Sequence, residues 1–568
     1  MGAAADCAFL ALVSFSSSLW YLARLGFYSD DWELIETFRL SPAPSLSSLL
    51  RSNFFIDRPA QGIYSVALYR FFGLNPLGYH CVNAAVLAST AIFLYLALRR
   101  LQPSRGAALA VALVYSTLPN YSTGRFWFAA FAAPLSMSFY LTSLLGDLHA
   151  VERRGVAFVV RRGAALVALV VSTLLYETAL PLFFLNPFLA WWAGKRGRAP
   201  FSPPSPVRRA GLAPQDPPLW TTSRWLAFLG LNAFALLAIG IFKAKTAARL
   251  RAPQGMLALV WSIASQTFNK GFTPGDYGLN LRAAFNANYV DYFFRLPQIV
   301  WLLQRDHPHA WLPVLSIVFA VAVFLYVKPA MADLTARQSI ALVFGGLAIF
   351  VLGYAIFFTN RAIQITPTGV GNRTSNAAAL GVAISAVGML GLIAAAFPRA
   401  VWRRVVFAGL IAAYAAAGFF VVATLSSFWI DAYTREQEII ADITSHVDQP
   451  ASKSILLVGG ICPYNGPAIV FESDWDLAGA LRLHYGDRTL GADVLRPGFY
   501  RVTPNGIVTL LYGGQDEDEF GPKLLLYDLP RKKFSVLADA DTAARIFREQ
   551  PPDIACPPGG EGVGVKVF

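Results

Sequence analysis

The sequence predicts an α-helical polytopic membrane protein that ends in a small α/β domain, and three observations predict it. Of 568 residues, 55% are hydrophobic and only 14% charged, against roughly 25% charge in soluble domains. Apolar runs near the roughly 20 residues that a spanning helix needs recur as far as residue 428. Beyond about residue 451 the pattern shifts to short strand-like and helix-like segments.

The apolar runs fall near 5–25, 79–98, 106–121, 126–146, 163–181, 182–194, 225–243, 310–327, 339–359, 376–397 and 403–428, eleven in all. The pair flanking Pro181 is short and reads as a hairpin turning at Glu177 to Pro181. Two amphipathic stretches, 255–270 and 285–303, read as interfacial. If both span, the count becomes thirteen and the C-terminal tail keeps its side; if one alone spans, the tail moves to the cytoplasm. Arg and Lys collect in alternate loops: Arg99, Arg100 and Arg105; Arg153 to Arg162; Lys195 to Arg224; Lys328 and Arg337; Arg399 to Arg404. Positive loops mark the cytoplasmic face, so the first loop and everything after Trp429 are expected outside. The N-terminus, "MGAAADCAFL", has no basic residue, so the later loops fix the orientation, and the charged start of a cleavable signal is lacking.

Residues 429–568 hold 13 basic and 20 acidic side chains, a balance of −7, whereas residues 1–428 hold 34 and 14, a balance of +20. The overall +13 is therefore membrane topology, and no basic tract interleaved with aromatics speaks for nucleic acid. The domains are read as 1–428, in the membrane, and 429–568, an extracytoplasmic α/β domain. Within the tail, "SILLVGG" and "KLLLYDL" read as strands, "DLAGALRLHYG" as a helix and "QDEDEF" as a solvated loop; the stretch 198–218 reads as a Pro-rich linker. Four cysteines without a C-x-x-C or His pair make no metal site, and Cys462 with Cys556 can form a disulfide if the tail lies outside.

The charged and amide groups at the outer helix ends make one set: Asp30, Asp31, Glu33, Asp57 and Arg58 in the first loop; His80 and Asn83 opening the second helix; Arg125, Glu177, Lys243 and Lys245; Arg361, Asn372 and Arg373. A charge at a helix centre costs about 2.5–3.5 kcal/mol on insertion scales, so such a ring at one rim marks a site at the outer leaflet. For the acidic pair a structural reading stands beside this one: "SDDWELIETF" is also a Ser/Asp helix cap with acids in the first turn. "NRT" at 372–374 matches a glycosylation sequon.

One spanning run followed by "YSDDWE", then by "DRPAQGIY" and by His80 and Asn83 opening the next helix, resembles the C-type fold of membrane glycosyltransferases. That class includes protein O-mannosyltransferases and aminoarabinose transferases. "LLYETALPL" is similar to its fifth-helix acidic motif and "GNRTSNAAALG" to its Arg-containing late helix, with Thr374 where a Tyr often follows. The likeness covers roughly 5–190 and 360–395; the tail matches no domain of the class. The resemblance implies an inverting enzyme that moves a sugar from a polyprenyl-phosphate donor to a glycan, lipid or protein acceptor at the outer face of a bacterial plasma membrane. It implies Asp30 as general base, with Asp31 either orienting the acceptor or binding a divalent cation. Arg58, Lys243, Lys245 and Arg373 are expected at the donor phosphate, and His80, Asn83, Arg125 and Glu177 in substrate positioning. The competing reading is a transporter or flippase of lipid-linked sugars, against which stands the absence of inverted repeats and of charges at mid-helix depth.

Overall fold

A computed structural model describes residues 2–41, 46–50, 52, 54–101, 104–196, 222–251, 274–294, 297–298, 300–301, 304, 310–331, 334–357, 364–496, 498–511, 517–549 and 556. The linker 198–218, the stretch 255–270 and Arg361 lie outside the described residues. The fold class is as the sequence predicts: a bundle of apolar helices followed by a small sheet domain.

Among the described residues nine helices are long and apolar enough to cross a membrane. They are α1 (Ala3–Leu22), α4 (Pro76–Leu101), α6 (Ala129–Val151), α7 (Gly155–Leu175), α9 (Trp225–Lys243), α11 (Trp311–Ala330), α12 (Ala336–Tyr354), α13 (Ala378–Ala395) and α14 (Ala400–His446). Between α1 and α4 lie α2 (Asp30–Leu40) and α3 (Pro59–Phe72). Two predicted runs are shorter than expected. The run at 106–121 forms α5 (Arg105–Thr117), only 13 residues before Pro119, about 20 Å at 1.5 Å per residue. The run at 182–194 begins as a 3-10 helix, Glu177–Phe184, with Pro181 inside, and continues as α8 (Asn186–Arg196), because proline supplies no N–H for an α-helical ladder. Within 285–303, the described residues continue helix α10 (Pro274–Phe285) through a π turn at Asn286–Val290.

Helix α7 starts earlier than its apolar stretch, taking in Arg161 and Arg162. The reason is tertiary: buried Arg162 pairs with Asp147 of α6 and bonds Asn232 of α9. Small residues let α12 and α13 touch; a Cβ on Gly381 would lie 2.3 Å from the backbone nitrogen of Phe350. Helix α14 is 47 residues long, about 70 Å, so it crosses an apolar core of about 30 Å and continues as a stalk to the tail.

The tail is an α/β unit. Its main sheet has the order β4 (Gly491–Leu495), β1 (Ile455–Gly459), β8 (Leu524–Asp528), β9 (Lys533–Val536), with only β9 antiparallel. Helix α15 (Asp474–Tyr485) connects β1 to β4, past a small hairpin of β2 (Tyr464–Asn465) and β3 (Ala468–Ile469). The acidic stretch read as a loop contributes a strand: β7 (Glu517–Glu519) pairs with β6 (Gly506–Thr509), which pairs with β5 (Tyr500–Val502). Cys462 and Cys556 are disulfide-bonded, with Cα atoms 5.5 Å apart. Helix α15 lies directly on α2. A Cβ on Gly479 would come 2.7 Å from the Trp32 carbonyl carbon, so only glycine permits this approach of tail to first loop.

Candidate functional site

The segment 26–31 is held by α14, by α4 and by a bond of its own before it delivers Asp30. The Tyr28 hydroxyl donates to the Trp429 carbonyl of α14 at 2.8 Å, and the two rings meet edge-on at 4.9 Å. His80 Nε2 donates to the Gly26 carbonyl at 2.9 Å. The Asp31 N–H donates to the Tyr28 carbonyl at 2.9 Å, which closes a tight turn directly ahead of α2.

The two acids part company here, since neighbours in the first turn of a helix point about 100° apart. Asp31 is fully buried; Oδ2 accepts from the Tyr28 N–H at 3.0 Å and Oδ1 from the Ala129 N–H at 2.7 Å. It pins the first loop to the start of α6. Burial pushes its carboxyl well above the usual range, and these two N–H groups only partly offset that. A divalent cation does not fit here, since both oxygens face backbone hydrogens. Among the described residues no three His, Cys, Asp or Glu gather to hold one.

Asp30 faces the other way, into a cavity of about 320 Å³ shared with Phe54, Arg58, Gln61, Ala129, Ala130, Ala133, Tyr176 and Arg373. Burial pushes its carboxyl up to about 6; Arg373 opposes the rise, Glu472 adds to it, and Arg58 opposes it further. Arg58 precedes Pro59 at the start of α3 and is clamped. Its Nη2 and Nε lie 3.2 and 3.4 Å from the two oxygens of Glu177, and its guanidinium stacks on Tyr176 at 4.3 Å. Lys243 pairs with the same carboxylate.

Arg373 is placed differently. Its neighbour Asn372, fully buried, donates to the carbonyls of Asn120 (2.9 Å) and Pro367 (2.7 Å) and accepts from the Thr123 N–H at 3.2 Å. These bonds lock the loop and use both ends of the amide, so the sequon at 372–374 is sealed inside. Arg373 itself lies over the Trp127 ring at 5.3 Å. Among the described residues neither Arg373 nor Asp30 is ion-paired.

The structure thus brings Asp30, Arg58 and Arg373 to one cavity, with Glu177 and Lys243 behind Arg58. It does not bring the others. His80 and Asn83 are buried braces, Asn83 accepting from the Tyr64 hydroxyl at 2.7 Å. Arg125, also buried, donates to the carbonyls of Ser116 (2.7 Å) and Leu118 (3.3 Å) and to the Tyr121 hydroxyl (2.8 Å). Lys245 is exposed. Sequence reasoning missed Gln61, Tyr176 and the Ala129–Ala133 floor. Tyr176 was signalled by its place next to Glu177; the alanines carried no signal.

One turn further along α2, Glu33 faces a second cavity of about 430 Å³, lined on the tail side by Asp474, Trp475, Arg482, Asp493, Thr509 and Asp518. Burial, then the charges of Asp30, Asp474 and Glu36, push the Glu33 carboxyl to about 7.

No family model and no curated protein matches the chain. Among solved structures, the chain is similar to ArnT from Cupriavidus metallidurans bound to undecaprenyl phosphate, at 16% identity and a TM-score of 0.38, covering 85% of this chain and 84% of that one. It is also similar to the Archaeoglobus fulgidus oligosaccharyltransferase tethered to an acceptor peptide with an NVT sequon, at 14% identity and a TM-score of 0.37, covering 85% of this chain and 63% of that one.

Proposed function

We propose that this chain is an inverting glycosyltransferase that moves a sugar from a polyprenyl-phosphate donor to an acceptor hydroxyl, with Asp30 as general base. The observation that carries the reading is the cavity lined by both the Asp30 carboxylate and the Arg373 guanidinium, neither of them ion-paired among the described residues. A general base works best when its pKa lies near the operating pH, and a carboxyl raised to about 6 is ionised at neutral pH yet more basic than an ordinary aspartate.

The acceptor oxygen attacks the anomeric carbon and its proton passes to Asp30. The bond from that carbon to the phosphate oxygen breaks on the opposite face, and the lipid phosphate leaves with the electron pair. Arg373 meets the growing negative charge, as an unpaired donor does without first giving up another partner. Arg58, shared with Glu177, is held stiffly enough to orient the phosphate. Phe54 and the alanines supply an apolar wall for the first prenyl units.

The reading places the cavity and the tail on the extracytoplasmic side. In its support, Arg105 ion-pairs with Asp6 at the start of α1, so the Arg-rich end of α4 and the beginning of the chain share one end of the bundle, and Asp30 lies at the other. The acceptor class, whether glycan, lipid or protein, follows from identifying what the purified enzyme glycosylates.

The test is Asp30→Asn in reconstituted enzyme, following transfer from a polyprenyl-phosphate sugar. Loss of a positioned base lowers turnover about 10²–10⁴-fold, with folding unchanged. Wild-type transfer by this variant refutes the assignment, and sugar-lipid translocation without transfer in the wild type points to a transporter instead.

A further inference from the structure

The tail touches the turn that carries Asp30 at the Ser29 hydroxyl. Ser29, the residue before Asp30, sits at φ 46°, ψ −121°, the left-handed half of backbone space where a side chain is costly and glycine is the ordinary choice. Within the turn closed from Asp31 to Tyr28 it occupies the second position of a type II′ geometry, which glycine dominates. A serine persists in such a place only when its surroundings over-determine it.

Those surroundings belong to the tail. The buried Ser29 hydroxyl donates to Glu472 Oε1 at 2.9 Å and accepts from the Trp475 indole at 3.3 Å. Glu472 is itself fixed. The Tyr464 hydroxyl donates to its Oε2 at 2.5 Å, its N–H donates to Asp476 Oδ2 at 2.7 Å, and its carbonyl accepts from Arg496 at 2.5 Å. Residues more than 440 positions downstream therefore set the backbone at the residue that precedes the base.

We propose that Glu472 is a positioning residue for the transfer reaction: through the Ser29 hydroxyl it holds the Tyr28–Asp31 turn in its strained form, and that form aims Asp30 into the cavity. This inference rests on the role of Asp30 given above. The tail then completes the site, and a transmembrane bundle lacking it is incompetent even where it can bind the lipid donor.

The charged groups facing Asp30 are Arg373 from the loop before α13, Arg58 from the start of α3, Glu472 from the tail, and Asp31 and Glu33 on its own helix. Replacing Glu472 with a neutral residue removes a negative neighbour, so the acid limb of the rate profile moves to lower pH.

The experiment uses the full-length reconstituted enzyme and four variants, Glu472→Gln, Glu472→Ala, Ser29→Gly and Asp30→Asn, with kcat, donor KM and the pH profile measured for each. Glu472→Gln keeps an acceptor for Ser29 and is expected to retain most of kcat with the acid limb shifted down. Glu472→Ala is expected to lose about 100-fold in kcat, the scale of an ångström of misplacement, with donor KM unchanged. Ser29→Gly takes up the same turn without strain, so it needs no tether from Glu472 and is expected to keep most of kcat. If Asp30→Asn is inactive while Glu472→Ala turns over like wild type, the positioning role is wrong and the catalytic reading survives. If Asp30→Asn is fully active, both fall.

Discussion

The two ends of the helical bundle use the same charged residue types in opposite ways. At the end that carries the N-terminus, buried Asp6 is closed by Arg105 (2.7 and 2.6 Å) with Tyr95 and Tyr326 (2.5 and 3.0 Å), and buried Asp147 is closed by Arg162. At the other end Asp30 and Arg373 share a cavity and neither is ion-paired among the described residues. A closed pair ties helices together, because breaking it strands a charge in a poorly solvated place. An open pair is ready for a substrate that brings its own charge and proton.

That difference can be broken by moving the same substitution between ends. Asp147→Asn leaves Arg162 buried without its carboxylate, and the expected cost is about 3–5 kcal/mol of stability, read as a lower unfolding midpoint in detergent, with turnover per folded molecule unchanged. Asp30→Asn does the reverse, losing turnover at an unchanged midpoint. Equal midpoints for both variants would erase the distinction.

A smaller effect sharpens the boundary between bundle and tail. The Glu33 carboxyl stands near 7 against an ordinary 4.5 because it is buried among other acids. The folded form therefore holds a proton that the unfolded form releases between those values, and the Glu33 contribution to stability falls as pH rises through that window. Glu33→Gln is expected to raise the midpoint by about 1–2 °C at pH 7.5 and to have no such effect at pH 4. A midpoint gain at both pH values would put the cause in packing rather than charge.

The pattern of legibility follows from what sequence periodicity encodes. Long apolar runs announce spanning helices whatever packs on them, so α4, α9, α11 and α13 were readable. Helix α7 was misplaced at its start because Arg162 looks like a loop residue until Asp147 and Asn232 are beside it. In the candidate site, the sequence could group Asp30 with Arg373, which line one cavity, because charge near an apolar run is costly. The same logic grouped His80, Asn83 and Arg125 with them, since a sequence does not reveal which polar groups find internal partners. Glu472 and the strained Ser29 were invisible, because a hydroxyl's partner 443 residues away and a backbone angle leave no local pattern.

The most direct measurement is the affinity of purified enzyme for polyprenyl phosphate, in wild type, Arg373→Ala and Asp30→Asn. An anion gripped by an unpaired guanidinium loses about 1.5–3 kcal/mol with it, so Arg373→Ala should bind more than about 10-fold more weakly. Asp30→Asn, which removes only the base, should bind at least as tightly as wild type. Unchanged binding by Arg373→Ala would contradict the account, because the cavity beside Asp30 would then not be where the lipid phosphate sits.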